Sequence, residues 1–184
     1  MGRLIYSMIM SLDGYVADEK GNFDWAEPDE EVHRFANDLE RPIGTHLYGR
    51  RMYETMVWWE TQGDDNDVGR EYAAIWRAAN KIVYSRTLKH ASSRQTRVEK
   101  EFDPTTVRAF KLESGKDLAI AGPELAAQAL RAGLVDEIAL FVVPFIVGGG
   151  NRALPHNLHV KAHLTEERRF ANGTVFLRYE TVHS

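Results

Sequence analysis

Three short stretches of this chain combine glycine or serine with guanidinium groups where an anion can be held. Gly49-Arg50-Arg51 sets a small residue and two cations at the start of a helix, whose free backbone N–H groups already favour negative charge. Ser85-Arg86 ends an apolar run with a hydroxyl beside a guanidinium, a pairing suited to phosphate oxygens. Ala121-Gly122-Pro123-Glu124-Leu125 puts a glycine at a strand-to-helix turn, where bare backbone can approach a pyrophosphate closely. Each stretch alone is ordinary turn geometry. At three strand ends of one sheet, they describe a phosphate-binding edge. Neither GxxxxGK[ST] nor GxGxxG occurs, so the familiar phosphate loops are not in use.

Other residue types narrow the chemistry further. Trp25, Trp58 and Trp59 can stack on a flat heterocycle, or serve equally as packing. His156, His159 and His163 have metal-like spacing, but Pro155 and strand alternation spread them over different faces, so no metal is expected. Gly148-Gly149-Gly150 reads as a flexible strand exit that could line a crevice. The absence of cysteine removes disulfides, thiolate catalysis and cysteine-held zinc or iron–sulfur clusters. With 23 basic and 27 acidic residues the formal charge is -4, the wrong sign for a nucleic-acid binder. The longest apolar run, residues 138–147, is interrupted by Pro144 and is too short to span a bilayer. The N-terminal run before Ala17 imitates a signal peptide, but one basic residue precedes it and Asp13-Gly14 break it. A cytoplasmic protein with no membrane partner is expected.

The elements that must position these residues alternate along 184 residues, enough for one domain spanning 1–184. Residues 3–12 read as a first strand closed by Asp13-Gly14. Val32, Phe35, Ala36 and Leu39 repeat at helical spacing, predicting a helix over 29–40 with Asp29 as its cap. A strand at 45–48 runs into a helix from Arg50, and Tyr72, Ile75, Trp76 and Ala79 mark another helix. Lys81 to Ser85 is a strand, and Asp103-Pro104 opens a helix that Gly115 ends. Leu118–Ala121, a helix through Leu130 and Ile138–Val143 form a crossover between parallel strands, the last in the covered centre of the sheet. Val160, Ala162 and Leu164 alternate with polar residues, and Asn172-Gly173 turns the chain into Val175, Leu177 and Tyr179 as a half-buried antiparallel hairpin. The expectation is a three-layer αβα domain with a mixed, mostly parallel central sheet and a C-terminal antiparallel hairpin.

In order and spacing, Ser11-Leu12-Asp13-Gly14, Asp24-Trp25, Leu47-Tyr48-Gly49-Arg50, Ser85-Arg86 and Ala121 to Leu125 resemble the dihydrofolate reductase superfamily. Val135-Asp136-Glu137, Val143-Pro144 and the Gly148–Gly150 exit point to one branch. It contains the C-terminal reductase domain of the riboflavin-pathway deaminase–reductase and its stand-alone relatives. The likeness covers about residues 3–181.

That resemblance implies an NADPH-dependent reductase acting on a small planar heterocycle of pterin or aminopyrimidine type. It implies Gly49, Arg50 and Arg51 at the adenosine phosphate end and Ser85 and Arg86 around the 2′-phosphate. Gly122, Pro123, Glu124 and Leu125 would hold the pyrophosphate, and Ile9 and Val16 would flank the nicotinamide. Trp25 and Trp58 become substrate-binding candidates. For the proton, counting from Trp25 to the family's carboxylate reaches Asp29 or Glu30. Asp13, at the end of the first strand, is the rival. Their plain roles are an acidic helix start and a turn with Gly14. A homodimer is implied, with the C-terminal hairpin as its interface.

Departures from the riboflavin branch bear on the substrate. Its T-x-x-x-D-x-P-x-L stretch is replaced here by Gly49-Arg50-Arg51-Met52-Tyr53-Glu54, and its E-G-G turn by Ala121-Gly122-Pro123. Activity as a 5-amino-6-(5-phosphoribosylamino)uracil reductase is therefore an alternative rather than the main expectation. An NADPH-binding module without turnover is the alternative from a different class.

Overall fold

The computed structural model describes residues 1–63 and 65–182. Its strands are β1 (Leu4–Ser11), β2 (Tyr15–Ala17), β3 (Ile43–Gly49), β4 (Asn80–Tyr84), β5 (Thr96–Glu99), β6 (Asp117–Ala121), β7 (Glu137–Val143), β8 (Asn151–Arg152), β9 (Ala162–Arg169) and β10 (Val175–Thr181). Its helices are α1 (Glu30–Glu40), α2 (Arg50–Met56), α3 (Asp67–Ala78), α4 (Pro104–Glu113) and α5 (Pro123–Arg131), with 3-10 turns at Asp24–Ala26 and Val57–Glu60. Eight strands form one sheet in the order β5-β4-β3-β6-β1-β7-β10-β9, and β2 and β8 form a separate ribbon. All pairings from β5 to β7 are parallel, and β10 pairs antiparallel with both β7 and β9. This is the expected three-layer architecture.

Local chemistry explains the boundaries. Asp29 caps α1 by accepting from the Val32 N–H at 3.0 Å, and Asp103 caps α4 through the Thr105 and Thr106 amides, both at 3.1 Å. Asn172-Gly173 makes the final turn, with Gly173 at φ +87 and Asn172 Oδ1 accepting from Thr174 N at 2.9 Å.

Three details differ from the sequence reading. The crossover from β6 through α5 to β7 is not between neighbours, because β1 lies between them and pairs with both. In the hairpin, Leu164 is 48% exposed and Val160, 40% exposed, precedes the strand, because β9 is an outer strand of the sheet. The Gly148–Gly150 segment is tied down rather than free. A side chain at Gly150 would meet Ala17 O at 2.2 Å, and the residues that follow pair with β2.

One face of the sheet is fully packed. Leu4, Tyr6, Leu47, Leu118 and Ile120 meet α4 and α5 in a continuous core. The other face carries two separate clusters. Phe141, Phe176 and Phe170 pack under α1, while Tyr48, Val83, Tyr53 and Trp76 pack around α2 and α3. Between those clusters the strands present the small Ser7, Ala119 and Ala121, flanked by Ile9 and His46, on the same face, too little volume to close the gap. The gap is the cavity.

Candidate functional site

The cavity has a volume of about 870 Å³, within the range of small-molecule sites. Ser7, Ala119 and Ala121 form its bed, α1 one wall, and Met52, Met56, Trp58 and Trp59 the other. Its lining contains Glu27, Glu30, Glu40, Asp65 and Asp67, and no lysine or arginine among the described residues. Two aromatic contacts stiffen the wall: Trp59 meets Trp58 edge-on at 4.7 Å, and Tyr72 also at 4.7 Å.

Beyond the carboxyl ends of β3, β4 and β6, which are adjacent in the sheet, lie the three stretches singled out by sequence. Gly49 caps α2 and Gly122 caps α5, each with no side-chain hydrogen bond to the helix start, so first-turn N–H groups remain available there. Gly122 has φ +93, and a Cβ there would lie 3.3 Å from the Met52 Cβ. Glycine is needed both for its conformation and for the closeness of α2 to this corner. Arg50 donates to Glu54 at 2.7 Å and to Thr87 at 2.6 Å, Arg86 to Glu101 at 2.8 Å, and Arg51 stands 3.6 Å from Glu124. These carboxylate pairs are solvent-exposed and weakly held, so the guanidinium groups can exchange them for a phosphate. Ser85 is buried and its Oγ accepts from the Thr87 and Leu88 amides at 3.2 and 3.0 Å. It shapes the loop that presents Arg86, and its oxygen is not a free acceptor.

The proposed acids separate clearly. Asp13 accepts from Ser11 Oγ at 2.6 Å, Val147 N at 3.1 Å and Gly148 N at 2.7 Å. The Ser11 hydroxyl first, and then those amides, hold its carboxyl down at about 2. It is an ionised clamp between the β1–β2 turn and the loop after β7, with no proton to give near neutrality. Asp29 is occupied as the α1 cap. Glu30 alone of the three lines the cavity, at its mouth, paired with Arg34 at 2.6 Å.

Ile9 lies on the cavity face of β1, and Val16 sits on β2, whose ribbon is fixed by the Asp13 clamp and by Ala153 N donating to Gly14 O at 2.9 Å. Trp58 lines the cavity. Trp25 does not: it stacks on Phe145, with ring centroids 5.7 Å apart and planes 4° from parallel. No cluster of three or more His, Asp or Glu side chains is placed to hold a metal among the described residues. No helix among them is long and apolar enough to cross a membrane.

Sequence reasoning missed the polar end of the cavity. Glu40, the last residue of α1, and His46, in the middle of β3, both line it, with Glu40 Oε2 and His46 Nε2 3.8 Å apart. The available signal was a carboxylate on the apolar stripe of α1, four residues beyond Ala36, and a histidine on the same strand face as Tyr48.

Residues 3–176 match the RibD C-terminal domain family. Among curated proteins, the chain is 25% identical over 181 residues to the uncharacterized protein YyaP of Bacillus subtilis strain 168, covering 96% of this chain and 94% of that one. It is 26% identical over 154 residues to YwjB of the same organism, covering 80% of each. Solved structures share the fold. A candidate riboflavin biosynthesis protein from Shewanella sp. PV-4 superposes with TM-score 0.78 at 16% identity, covering 98% of this chain and 99% of that one. A pyrimidine reductase-like protein from Corynebacterium diphtheriae NCTC gives 0.69 at 13%, covering 100% and 93%. Acinetobacter baumannii RibD gives 0.71 at 15%, and there the match covers 100% of this chain but 59% of that protein.

Proposed function

The chain belongs to the RibD C-terminal domain family, and from that premise we propose that it is an NADPH-dependent reductase of a small, unphosphorylated planar heterocycle. The observation that carries the reading is the adjacency of a three-arginine, two-glycine strand-end edge to a cavity bedded on Ser7, Ala119 and Ala121. The residues suit the cofactor: Arg50, Arg51 and Arg86 offer guanidinium groups for the 2′-phosphate, and Gly122 with the Glu124 and Leu125 amides offers a pyrophosphate seat. Ile9 and Val16 border the place for the nicotinamide and keep water from it. When bound, NADPH supplies the hydride. The chain's own work is to align the acceptor carbon and deliver one proton, and Glu30 at the cavity mouth is the carboxyl proposed for that.

An unphosphorylated substrate is favoured over a phosphoribosylamino-pyrimidine because the cavity lining holds carboxylates and no lysine or arginine among the described residues. The proposal includes a cytoplasmic homodimer joined along the outer edge of β9, which pairs with β10 on its other side.

A side-by-side titration with NADPH and NADH, read by tryptophan quenching, tests the reading. NADPH should bind at least tenfold more tightly than NADH, and Arg86→Ala should erase most of that preference without moving the melting temperature. Binding of neither nucleotide would overturn it. NADPH binding with no cofactor oxidation across pterins and aminopyrimidines, and no effect of Glu30→Gln, would favour a binding module without turnover.

A further inference from the structure

At the inner end of the cavity two polar groups face each other without partners. His46 Nε2 and Glu40 Oε2 are each shielded from solvent, and neither has a hydrogen-bond partner. His46 is 3% exposed and the Glu40 side chain 18%. Their 3.8 Å separation is too long for a direct bond. The pair is held in place rather than loose. His46 stacks on Tyr48 at 5.4 Å and 5°, and Tyr48 OH accepts from the buried Trp76 Nε1 at 3.0 Å. A rigid, unsatisfied donor–acceptor pair facing a cavity is what a polar ligand edge would complete.

We infer that Glu40 and His46 form the distal recognition subsite of the cavity and take the amide-type edge, a ring N–H beside a C=O, of a bicyclic or substituted heterocycle. This rests on the reductase reading for the position of the other end of that ligand. The length follows from the sheet register. His46 is level with Ala119, and Ala119 with Ile5, so His46 lies two strands from β1. Ser7, two residues further along β1, is then about 12 Å from His46 by strand spacing and rise. A single six-membered ring cannot reach from the Ser7–Ile9 bed to the pair. The protonation states agree with an amide edge. Burial, and then the charge of Lys81, hold His46 neutral with its pKa down to about 3, while burial pushes Glu40 up to about 7. A neutral imidazole and a carboxyl able to donate or accept can serve N–H and C=O together.

Lumazine, a bicyclic dione with amide edges, and 1,3-dimethyllumazine, in which both N–H groups are blocked, are the probes. With NADPH present, native protein should bind lumazine at least tenfold more tightly than the dimethyl compound. That ratio should fall to within about twofold in Glu40→Leu and in His46→Phe, while Glu40→Gln retains part of it. Melting temperatures separate recognition from a structural pair: Glu40→Leu should melt no lower than native, since it removes an unsatisfied buried group. Equal affinity for the two probes, no binding of lumazine, or a ratio that survives both variants would overturn the inference. So would a drop in melting temperature shared by Glu40→Leu, Glu40→Gln and His46→Phe. Lumazine discrimination without any NADPH binding would overturn the reductase reading and leave the subsite standing.

Discussion

Strand β3 carries two polar regions that obey opposite rules. At its exit, Gly49 leads into Arg50 and Arg51, whose side chains stand in water and hold exposed carboxylates such as Glu54 and Glu124. Three residues earlier, His46 is buried against Glu40 with no hydrogen bond for either facing atom. The exposed pairs are worth little, so a phosphate can replace them at small cost. Each unsatisfied group at the floor costs about 1–3 kcal/mol, so that region destabilises the fold until something completes it. The first region is therefore exchangeable and the second is committed. One suits a cofactor that comes and goes, the other a fixed recognition of shape and hydrogen-bonding pattern.

The sharpest way to break this division is at Gly122. Valine there would be forced into φ +93 and would push against Met52, whose Cβ already lies 3.3 Å from the Cβ position. The strain alone costs about 1–3 kcal/mol. NADPH affinity should fall at least about a hundredfold by the loss of the backbone seat at the helix start. Lumazine discrimination at the floor should persist in the folded protein. If nucleotide titration and probe binding fall together, the two regions are one.

The same division explains what could be read from the sequence. Glycine next to arginine after an apolar run is visible as text because turns demand particular residues, and the edge at Gly49, Arg86 and Gly122 was legible for that reason. Asp29 as the α1 cap and Asp103 as the α4 cap were legible too. The floor was not. Glu40 and His46 are six positions apart on different elements, and only the way the chain leaves α1 and enters β3 brings their side chains to 3.8 Å. The order of the sheet was hidden as well, since nothing local in β6, α5 and β7 says that β1 will be inserted between the two strands. Asp13 was seen but its role was not, because its partners Val147 and Gly148 lie more than 130 positions away.

The second test concerns acid. Glu40, its pKa raised to about 7 by burial, takes up a proton in the folded state first, so it adds stability as pH falls from 7 toward 4.5. His46, lowered to about 3, stays neutral while the unfolded chain protonates, so stability is lost from pH 6.5 toward 3. Between about pH 6.5 and 4.5 the two oppose each other at up to about 1.4 kcal/mol per pH unit each. The groups whose charge couples to theirs are Lys81 on β4, Tyr48 on β3, and Tyr72 on α3, while His33 in the same cavity is common to native protein and variant. None of the first three changes its charge in that window. Glu40→Gln should therefore expose a decline in urea-derived stability between pH 6.5 and 4.5 that native protein lacks. Parallel curves would mean that the floor is wet and the contrast with the exposed edge is false.

The smallest effect should come from Asp13, which belongs to neither region but ties the β1–β2 turn to the loop after β7. Its carboxylate receives the Ser11 hydroxyl and the Val147 and Gly148 amides, and the low pKa of about 2 reports that convergence of donors, the Ser11 hydroxyl foremost. The stability it lends is present above about pH 3.8 and is lost as pH falls toward 2, so it stays constant through the Glu40 and His46 window. Asp13→Asn keeps the shape but turns one acceptor into an N–H₂ that meets donors, which should free the Gly148 amide before it disturbs the strands. Hydrogen exchange is the measurement, with faster exchange expected at Val147 and Gly148 and unchanged protection in β1 and β7. Nucleotide selectivity and probe discrimination should both survive. If instead reductase turnover vanished while the Gly148 amide stayed protected, Asp13 would be acting on the substrate, and the β1–β2 turn would have to be counted as part of the site.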